Sequence, residues 1–128
     1  MAVHAVSVVR DDVTTEDRAA QRAVFLAACR VRGWEAGQTE HQGSGGPGAW
    51  AAALVRLGSV GVGLVVVVDS IDRLADTESD RVRVLALLRR RGVRLLAVAD
   101  GIDTGDRIGY DLVTDVITAP AWRGVRTG

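Results

Sequence analysis

The side chains best suited to chemistry in this chain follow an unusually apolar stretch. Residues 64–68 read LVVVV, and Asp69, Ser70, Asp72 and Arg73 come directly after them. An apolar run without alternation, rich in β-branched residues, is typical of a parallel strand covered by helices on both faces. In open α/β sheets, ligands bind in the crevice at the carboxyl ends of such strands. We therefore expect the candidate site to begin at Asp69.

A second group of charged side chains follows the first apolar segment. Residues 3–9 predict a strand, and Arg10, Asp11 and Asp12 stand at its end. Two carboxylates can bind a metal ion or transfer protons, although acidic residues after a strand are more often the solvated start of a helix. Arg10 can bind a phosphate or form a salt bridge with a neighbouring carboxylate. The residues alone do not decide whether the two aspartates form a site or a helix start. They also leave open whether Arg10 binds phosphate or forms a salt bridge.

A glycine-rich segment, GSGGPG at residues 43–48, predicts a loop. Backbone amides in such loops can surround an anion, which makes Ser44 a candidate phosphate contact, although glycine loops without a ligand are commoner. His41 and Glu40 are residue types that can bind a metal ion, but this adjacent pair does not have the spacing of a known metal site. We expect no metal and no cofactor.

Strands and helices alternate along the chain. We predict strands at residues 3–9, 64–68 and 93–99 and a brief one at 34–39, and helices at 14–32, 49–57, 76–91 and 110–118. Alternation with short connections predicts right-handed crossovers and a parallel sheet. The expected fold is a single three-layer α/β domain with a mainly parallel sheet of about four strands.

The inward faces of two helices follow from their apolar spacing. On the first helix, a stripe at helical spacing comprises Ala20, Ala23, Val24, Ala27, Ala28 and Val31. On the third helix, the corresponding positions are Val82, Val84, Leu85, Leu87 and Leu88. Gly33 and Gly92 follow these helices and are expected to end them.

Length and composition limit the classes of function. A chain of 128 residues has room for one domain with one core. Sixteen basic and sixteen acidic residues cancel, so any DNA binding must come from a local patch. All the basic residues are arginines, which excludes a lysine phosphate clamp or a Schiff base.

The lone Cys29 is expected to be buried and to serve packing. Without a signal-peptide pattern or an apolar run of membrane length, we expect a cytoplasmic protein with no membrane partner.

Several fragments share an order and spacing with one known family. They are Arg10 at the end of a strand; Gln21 and Arg22 on the first helix; Ser44, Gly45, Pro47 and Gly48; Asp72, Arg73 and Leu74 after an apolar strand; Gly92 and Val93; and Gly101, Ile102, Asp103 and Thr104 with Gly109. Over residues 3–119 they resemble the catalytic domain of serine recombinases of the resolvase and invertase type. The resemblance implies the resolvase fold and DNA as the substrate.

That family cuts DNA with a serine hydroxyl that attacks a phosphodiester, while arginines stabilise charge on the phosphoryl oxygens. An ungapped match places Arg10 at a family arginine and Asp12 at the nucleophile. His41 stands where the family has an acidic residue, and Gly46 where it has an arginine. A second arginine, expected at or next to Asp76, is absent. The resemblance therefore implies a degenerate copy that lacks the nucleophile and two phosphate-binding cations.

We accordingly expect no strand cleavage by this chain. If a weak, salt-sensitive affinity for DNA persists, the resemblance assigns Arg10 and Arg73 as phosphate contacts and Asp72 as their orienting carboxylate. Gln21 and Ser44 are then minor polar contacts. In the family, a long dimer helix and a DNA-binding region follow the catalytic domain. Residues 120–123, PAWR, stand where that helix begins, so we expect neither part within residues 1–128.

Two other classes of function remain open at this stage. Asp11, Asp12 and Asp69 also resemble the acidic pocket of a phosphoacceptor receiver domain that binds a divalent cation, although the lysine that such domains use is absent. The other class is a plain interaction module that binds a protein partner. The tryptophans, Trp34, Trp50 and Trp122, are expected to serve packing more than base stacking.

Overall fold

The computed structural model describes residues 4–10, 13–42, 46–57 and 64–118. The strands are β1 (His4–Arg10), β2 (Glu35–Gln42), β3 (Leu64–Val68), β4 (Arg94–Ala97) and β5 (Ile102–Asp103). The α-helices are α1 (Thr15–Arg32), α2 (Gly46–Leu57), α3 (Glu78–Arg90) and α4 (Arg107–Thr118), and a short 3-10 helix spans Ile71–Leu74.

The strands form one sheet in the order β2-β1-β3-β4-β5. β1, β2, β3 and β4 are parallel, and β5 runs antiparallel to β4. The prediction of a single α/β domain with a mainly parallel sheet and a central strand at residues 64–68 is confirmed. The strand count is five rather than about four, because β5 lies outside the four predicted strands.

The side chains of β3 explain why its sequence does not alternate. Val65 and Val67 pack in a cluster with Phe25 and Cys29 of α1 on one face of the sheet. The other face carries Val66 and Val68 in a cluster with buried side chains of α2, α3 and α4, among them Trp50, Leu54, Leu85, Leu88 and Val113. A strand that is buried on both faces is apolar at every position.

Helix α1 begins and ends as its sequence predicts. The Thr14 hydroxyl accepts a hydrogen bond from the Asp17 backbone amide at 3.1 Å, and Gly33 ends the helix with φ of +69°. That left-handed conformation is one that glycine adopts without steric cost. Acidic Glu16 lies in the first turn and Arg32 in the last, as the helix dipole favours.

The predicted inward face of α1 is wrong in part. Val31 is 80 % exposed, and Ala20 and Ala23 are exposed as well. The residues that α1 buries are Gln21, Phe25, Ala28 and Cys29. Because burial of an aromatic ring removes far more apolar area from water than burial of an alanine methyl group, Phe25 decides the rotation of the helix.

The other helices agree with the sequence in their packing and differ at their ends. All five apolar positions predicted for α3 are buried, and the Thr77 hydroxyl caps this helix by accepting from the Asp80 amide at 3.1 Å. Gly92 follows with φ of +68°. Helix α2 begins at Gly46 and α4 at Arg107, each earlier than predicted. None of the described helices is long and apolar enough to cross a membrane.

The cysteine and two of the tryptophans contribute to packing, as expected. Cys29 is buried, and this burial raises the pKa of its thiol. Trp50 is 1 % exposed, while Trp34 packs at the edge of the α1 cluster beneath the guanidinium groups of Arg32 and Arg94. Trp122 lies outside the described residues.

The short strand β5 is held by polar contacts with β4. The Arg94 guanidinium donates to both carboxylate oxygens of Asp103, from Nε at 2.8 Å and Nη2 at 2.7 Å. The hydrogen bond from Arg94 is also the main reason that the pKa of Asp103 lies below its ordinary value. Two glycines permit close packing here, because a Cβ at Gly105 would meet the Arg94 guanidinium and one at Gly109 would meet the Asp103 backbone.

Candidate functional site

The candidate site lies at the carboxyl ends of β1 and β3. These neighbouring strands run parallel, and Ser7 of β1 pairs with Val67 of β3. The chain places β2 on one side of β1 and β3 on the other, so the order of the sheet reverses between β1 and β3. Such a switch point forms the ligand crevice of open α/β sheets. The ends of both strands therefore meet where the sequence predicts a site.

Arg73 is a cation at this edge, and two carboxylates accept hydrogen bonds from it. Its Nε donates to Asp69 Oδ1 at 2.9 Å, and its Nη2 donates to Asp17 Oδ1 at 2.7 Å and to Asp69 Oδ2 at 3.3 Å. The side chain of Arg73 is 23 % exposed, so the ion pairs are only partly screened by water. The hydrogen bond that Arg73 donates to Asp17, and next the one that it donates to Asp69, raise the pKa of Arg73 above its ordinary value.

The backbone around Arg73 is anchored at both ends of the 3-10 helix. The Ile71 amide donates to Asp100 Oδ2 at 2.6 Å, which ties the start of the 3-10 helix to the turn after β4. At its end, the Leu74 carbonyl accepts a hydrogen bond from Trp50 Nε1 at 2.7 Å. Leu74 is also buried in the core. The guanidinium is thus carried by a short segment that contacts on both sides hold in place.

The expected partner of Arg73 was Asp72, and the structure corrects this. The Asp72 side chain is 81 % exposed, and its carboxylate lies 3.8 Å from Arg81 Nη1. Side chains of consecutive residues in a 3-10 helix diverge by about 120°, so neighbours such as Asp72 and Arg73 point in different directions. The orienting carboxylates of Arg73 are Asp69 and Asp17 instead.

Sequence reasoning placed Asp69 in the candidate site and missed Asp17. Asp17 lies in the first turn of α1, where a negative charge is already favoured by the helix dipole. Nothing in the local pattern connects it with a residue after β3. The only signal was the expectation that α1 follows β1 and starts at the same edge of the sheet.

The remaining predicted site residues are only partly visible in the structure. Gln21 is 3 % exposed on the inward face of α1, one turn after Asp17. The backbone of Arg10 ends β1 at the same edge of the sheet, while its side chain lies outside what is described. Asp12 and Ser44 lie outside the described residues. Their roles remain predictions.

Two hydroxyl groups near the end of β1 have definite surroundings. Ser7 is 1 % exposed within the sheet. The Thr14 hydroxyl caps α1 through the Asp17 amide. Across residues 4–10, 13–42, 46–57 and 64–118, no group of three or more histidine, cysteine, aspartate or glutamate side chains is arranged to hold a metal ion.

Comparison with known proteins gives one family and several similar folds. Residues 6–121 match the family model described as the resolvase N-terminal domain. The N-terminal catalytic domain of TP901-1 integrase superimposes with a TM-score of 0.81 at 13 % identity, over 98 % of this chain and 99 % of that one. A resolvase family site-specific recombinase from Streptococcus pneumoniae gives 0.70 at 18 % identity, over 98 % and 91 %.

A third similar structure is the C-terminal catalytic domain of ISC1926 TnpA, an IS607-like serine recombinase. Its TM-score is 0.58 at 21 % identity, over 91 % of this chain and 79 % of that one. No curated protein matches the chain significantly. At these identities the structural similarity concerns the fold, while the family match rests on the sequence of most of the chain.

Proposed function

Because the chain belongs to the resolvase N-terminal domain family, the catalytic-domain family of serine recombinases, we propose that it is a recombinase-type domain that does not cut DNA. In this proposal, residues 1–128 form one such domain, and its remaining activity is a weak contact with DNA phosphates. The observation that carries the DNA contact is Arg73, which is held at the switch point of the sheet by two carboxylates.

The loss of cleavage follows from the residues that replace the catalytic ones. Asp12 stands at the position of the family's nucleophilic serine, and a carboxylate there repels a phosphodiester instead of attacking it as an alkoxide. Gly46 replaces one phosphate-binding arginine, and the second, expected near Asp76, is absent. Removing one preorganised charge donor typically lowers a rate about 100- to 1000-fold. Two such losses together with the nucleophile leave no measurable cleavage.

The described hydroxyls near β1 do not supply a substitute nucleophile. Ser7 is 1 % exposed, so DNA cannot reach its hydroxyl in the folded domain. The Thr14 hydroxyl accepts from the Asp17 amide at the start of α1, and Thr15 accepts from Arg18 Nη2 at 3.3 Å. In these hydrogen bonds, neither threonine hydroxyl contacts a side chain that could accept its proton as a general base.

We expect no covalent complex between this protein and DNA. The protein is incubated with supercoiled plasmid and with labelled duplexes, denatured, and analysed by mass spectrometry for a nucleotide adduct, with an active serine recombinase and its own DNA site as the positive control. An adduct on this chain, in particular at Ser7, Thr14 or Thr15, would overturn the proposed loss of activity.

Weak binding to DNA is expected to depend on Arg73 and on salt. With about three phosphate contacts, the logarithm of the association constant should fall with the logarithm of salt concentration with a slope of about −2.7. Arg73→Ala should weaken binding and reduce the slope by about 0.9. Fluorescence anisotropy of a labelled random duplex measures both quantities at low and moderate salt.

The matched control for this experiment is Arg83→Ala. Arg83 is an arginine on α3 whose side chain is 70 % exposed and which pairs with Asp80 at 3.7 Å. The control removes the same charge from a side chain that pairs with Asp80 instead of Asp69 or Asp17, so it should leave the slope unchanged. If the wild-type chain does not bind DNA at low salt, the DNA contact is wrong and a protein partner becomes the expected ligand.

The contacts of Asp69 argue against the receiver alternative. Both oxygens of this carboxylate accept hydrogen bonds from Arg73. A phosphoacceptor aspartate needs an oxygen that can attack phosphorus and carboxylate oxygens that bind a divalent cation. A guanidinium on the same oxygens competes with both requirements.

A further inference from the structure

The two carboxylates on Arg73 occupy the parts of its guanidinium that usually bind phosphate. A guanidinium offers two edges for a bidentate contact, one formed by Nε and Nη2 and the other by Nη1 and Nη2. Asp69 covers the first edge, since its two oxygens accept from Nε and Nη2. This contact uses the Nη2 hydrogen that points towards Nε.

Asp17 takes the other hydrogen of Nη2. Its Oδ1 lies 2.7 Å from Nη2, which is the shortest of the three contacts, and it approaches from α1 rather than from the segment that carries Arg73. The remaining hydrogen of Nη2 belongs to the edge that Nη2 forms with Nη1. A phosphate that approaches Arg73 therefore finds no free edge with two donors and can reach Nη1 alone.

We propose that Asp17 is an intramolecular competitor of DNA phosphate for Arg73, a contact that holds the site in a low-affinity state. This inference rests on the proposed DNA contact of Arg73. Carboxylate and phosphate oxygens are acceptors of the same type and charge, so the two cannot share one guanidinium hydrogen. Asp69 and Asp17 also place two negative charges against one positive charge, which opposes the approach of a polyanion.

The position of Asp17 makes it the carboxylate that can be displaced. Asp69 lies four residues before Arg73 in the same connection, and it keeps one edge of the guanidinium in place. The Asp17 side chain is 31 % exposed at the start of α1, against 19 % for Asp69. Rotation of the Asp17 side chain towards solvent would free the second edge without moving the backbone of the 3-10 helix.

The test is the DNA affinity of Asp17→Ala, measured by the same anisotropy titration. Removing Asp17 should tighten binding about tenfold, which corresponds to one charge-assisted hydrogen bond made available to phosphate. The salt slope should stay unchanged, because Arg73 already counts among the phosphate contacts of the wild type. Glu16→Ala is the matched control, because Glu16 carries the same charge in the same turn of α1 and is exposed. A general charge effect would raise the affinity of both variants equally and would overturn the proposal.

A double variant tests whether the gain passes through Arg73. In the Arg73→Ala background, Asp17→Ala should increase the affinity for DNA by no more than Glu16→Ala does. If Asp17→Ala increases DNA affinity as strongly without Arg73 as with it, the competition proposed here is wrong. Circular dichroism and thermal unfolding of each variant show whether it is folded before binding is compared.

A second readout separates this inference from the proposed DNA contact. Phenylglyoxal modifies accessible guanidinium groups, and mass spectrometry of the peptide that contains Arg73 gives its rate of modification. Faster labelling of Arg73 in Asp17→Ala than in Glu16→Ala, without DNA binding by any variant, would support the blocking contact and refute the DNA function. Equal labelling and equal DNA affinity in the two variants would refute the role of Asp17.

Discussion

Replacing Trp50 with alanine is expected to lower the free energy of unfolding by about 3–5 kcal/mol. Trp50 is 1 % exposed and packs in the core between α2 and the sheet, so the substitution leaves a large cavity. Domains of this size are typically stable by about 5–15 kcal/mol, and the loss is therefore a large part of the total. Urea unfolding followed by circular dichroism measures the change.

Trp50→Phe separates the hydrogen bond of Trp50 from its packing. Phenylalanine keeps an aromatic ring in the core but leaves the Leu74 carbonyl without the donor that lies 2.7 Å away in the wild type. An unsatisfied buried carbonyl costs about 1–3 kcal/mol. Trp34→Phe is the control, since Trp34 is only partly buried at the edge of its cluster. A smaller loss for Trp50→Phe than for Trp34→Phe would contradict the importance of this bond.

The hydrogen bond of Trp50 also connects the core with the site. Leu74 ends the 3-10 helix that carries Arg73, so loss of the Trp50 donor should loosen the position of the guanidinium. This coupling gives Trp50, a residue of α2, a role in the geometry of the site.

Gly109→Ala is expected to destabilise the domain by about 3 kcal/mol or more. A Cβ at this position would overlap the backbone carbonyl group and amide nitrogen of Asp103. Because these atoms belong to the main chain of β5, they cannot move aside as a flexible side chain can. Either β5 or α4 must shift, which breaks the packing of α4 against the sheet. Thermal unfolding gives the change in stability.

Gly48→Ala is the matched control for this substitution. Gly48 also lies in a helix, α2, and a Cβ there would meet no atom within 4 Å. Alanine in place of glycine in a helix is favoured by about 0.5–1 kcal/mol, so this variant should be neutral or slightly stabilised. If both variants were equally stable, the close approach of α4 to β5 in the structure would be wrong.

The central strand and the ends of α1 could be predicted because their causes are local. A short, apolar, β-branched run is typical of a strand that is covered on both faces, and β3 is such a strand. Thr14 and Gly33 likewise bound α1 through hydrogen bonds and backbone conformations within a few residues of each end.

Local patterns failed where a long-range contact decides the structure. The two residues of β5 have no strand pattern of their own and are held by pairing with β4 and by the Arg94 side chain. The rotation of α1 was mispredicted because its alanines fit either a buried or an exposed position. Phe25 and the sheet surface beneath it decide the rotation, and the helical spacing of small residues does not.

The candidate site also combines features with a local cause and a feature that a long-range contact decides. By itself, the sequence determined that Arg73 and Asp69 follow a buried strand at the ligand-binding edge of the sheet, because strand polarity and short spacing require it. Only the tertiary structure decided that Asp17, 56 residues away in the chain, completes the contacts of Arg73 and that Asp72 turns towards Arg81. A partner so distant in sequence leaves no local signal, since it is brought to Arg73 by the packing of α1 against the sheet.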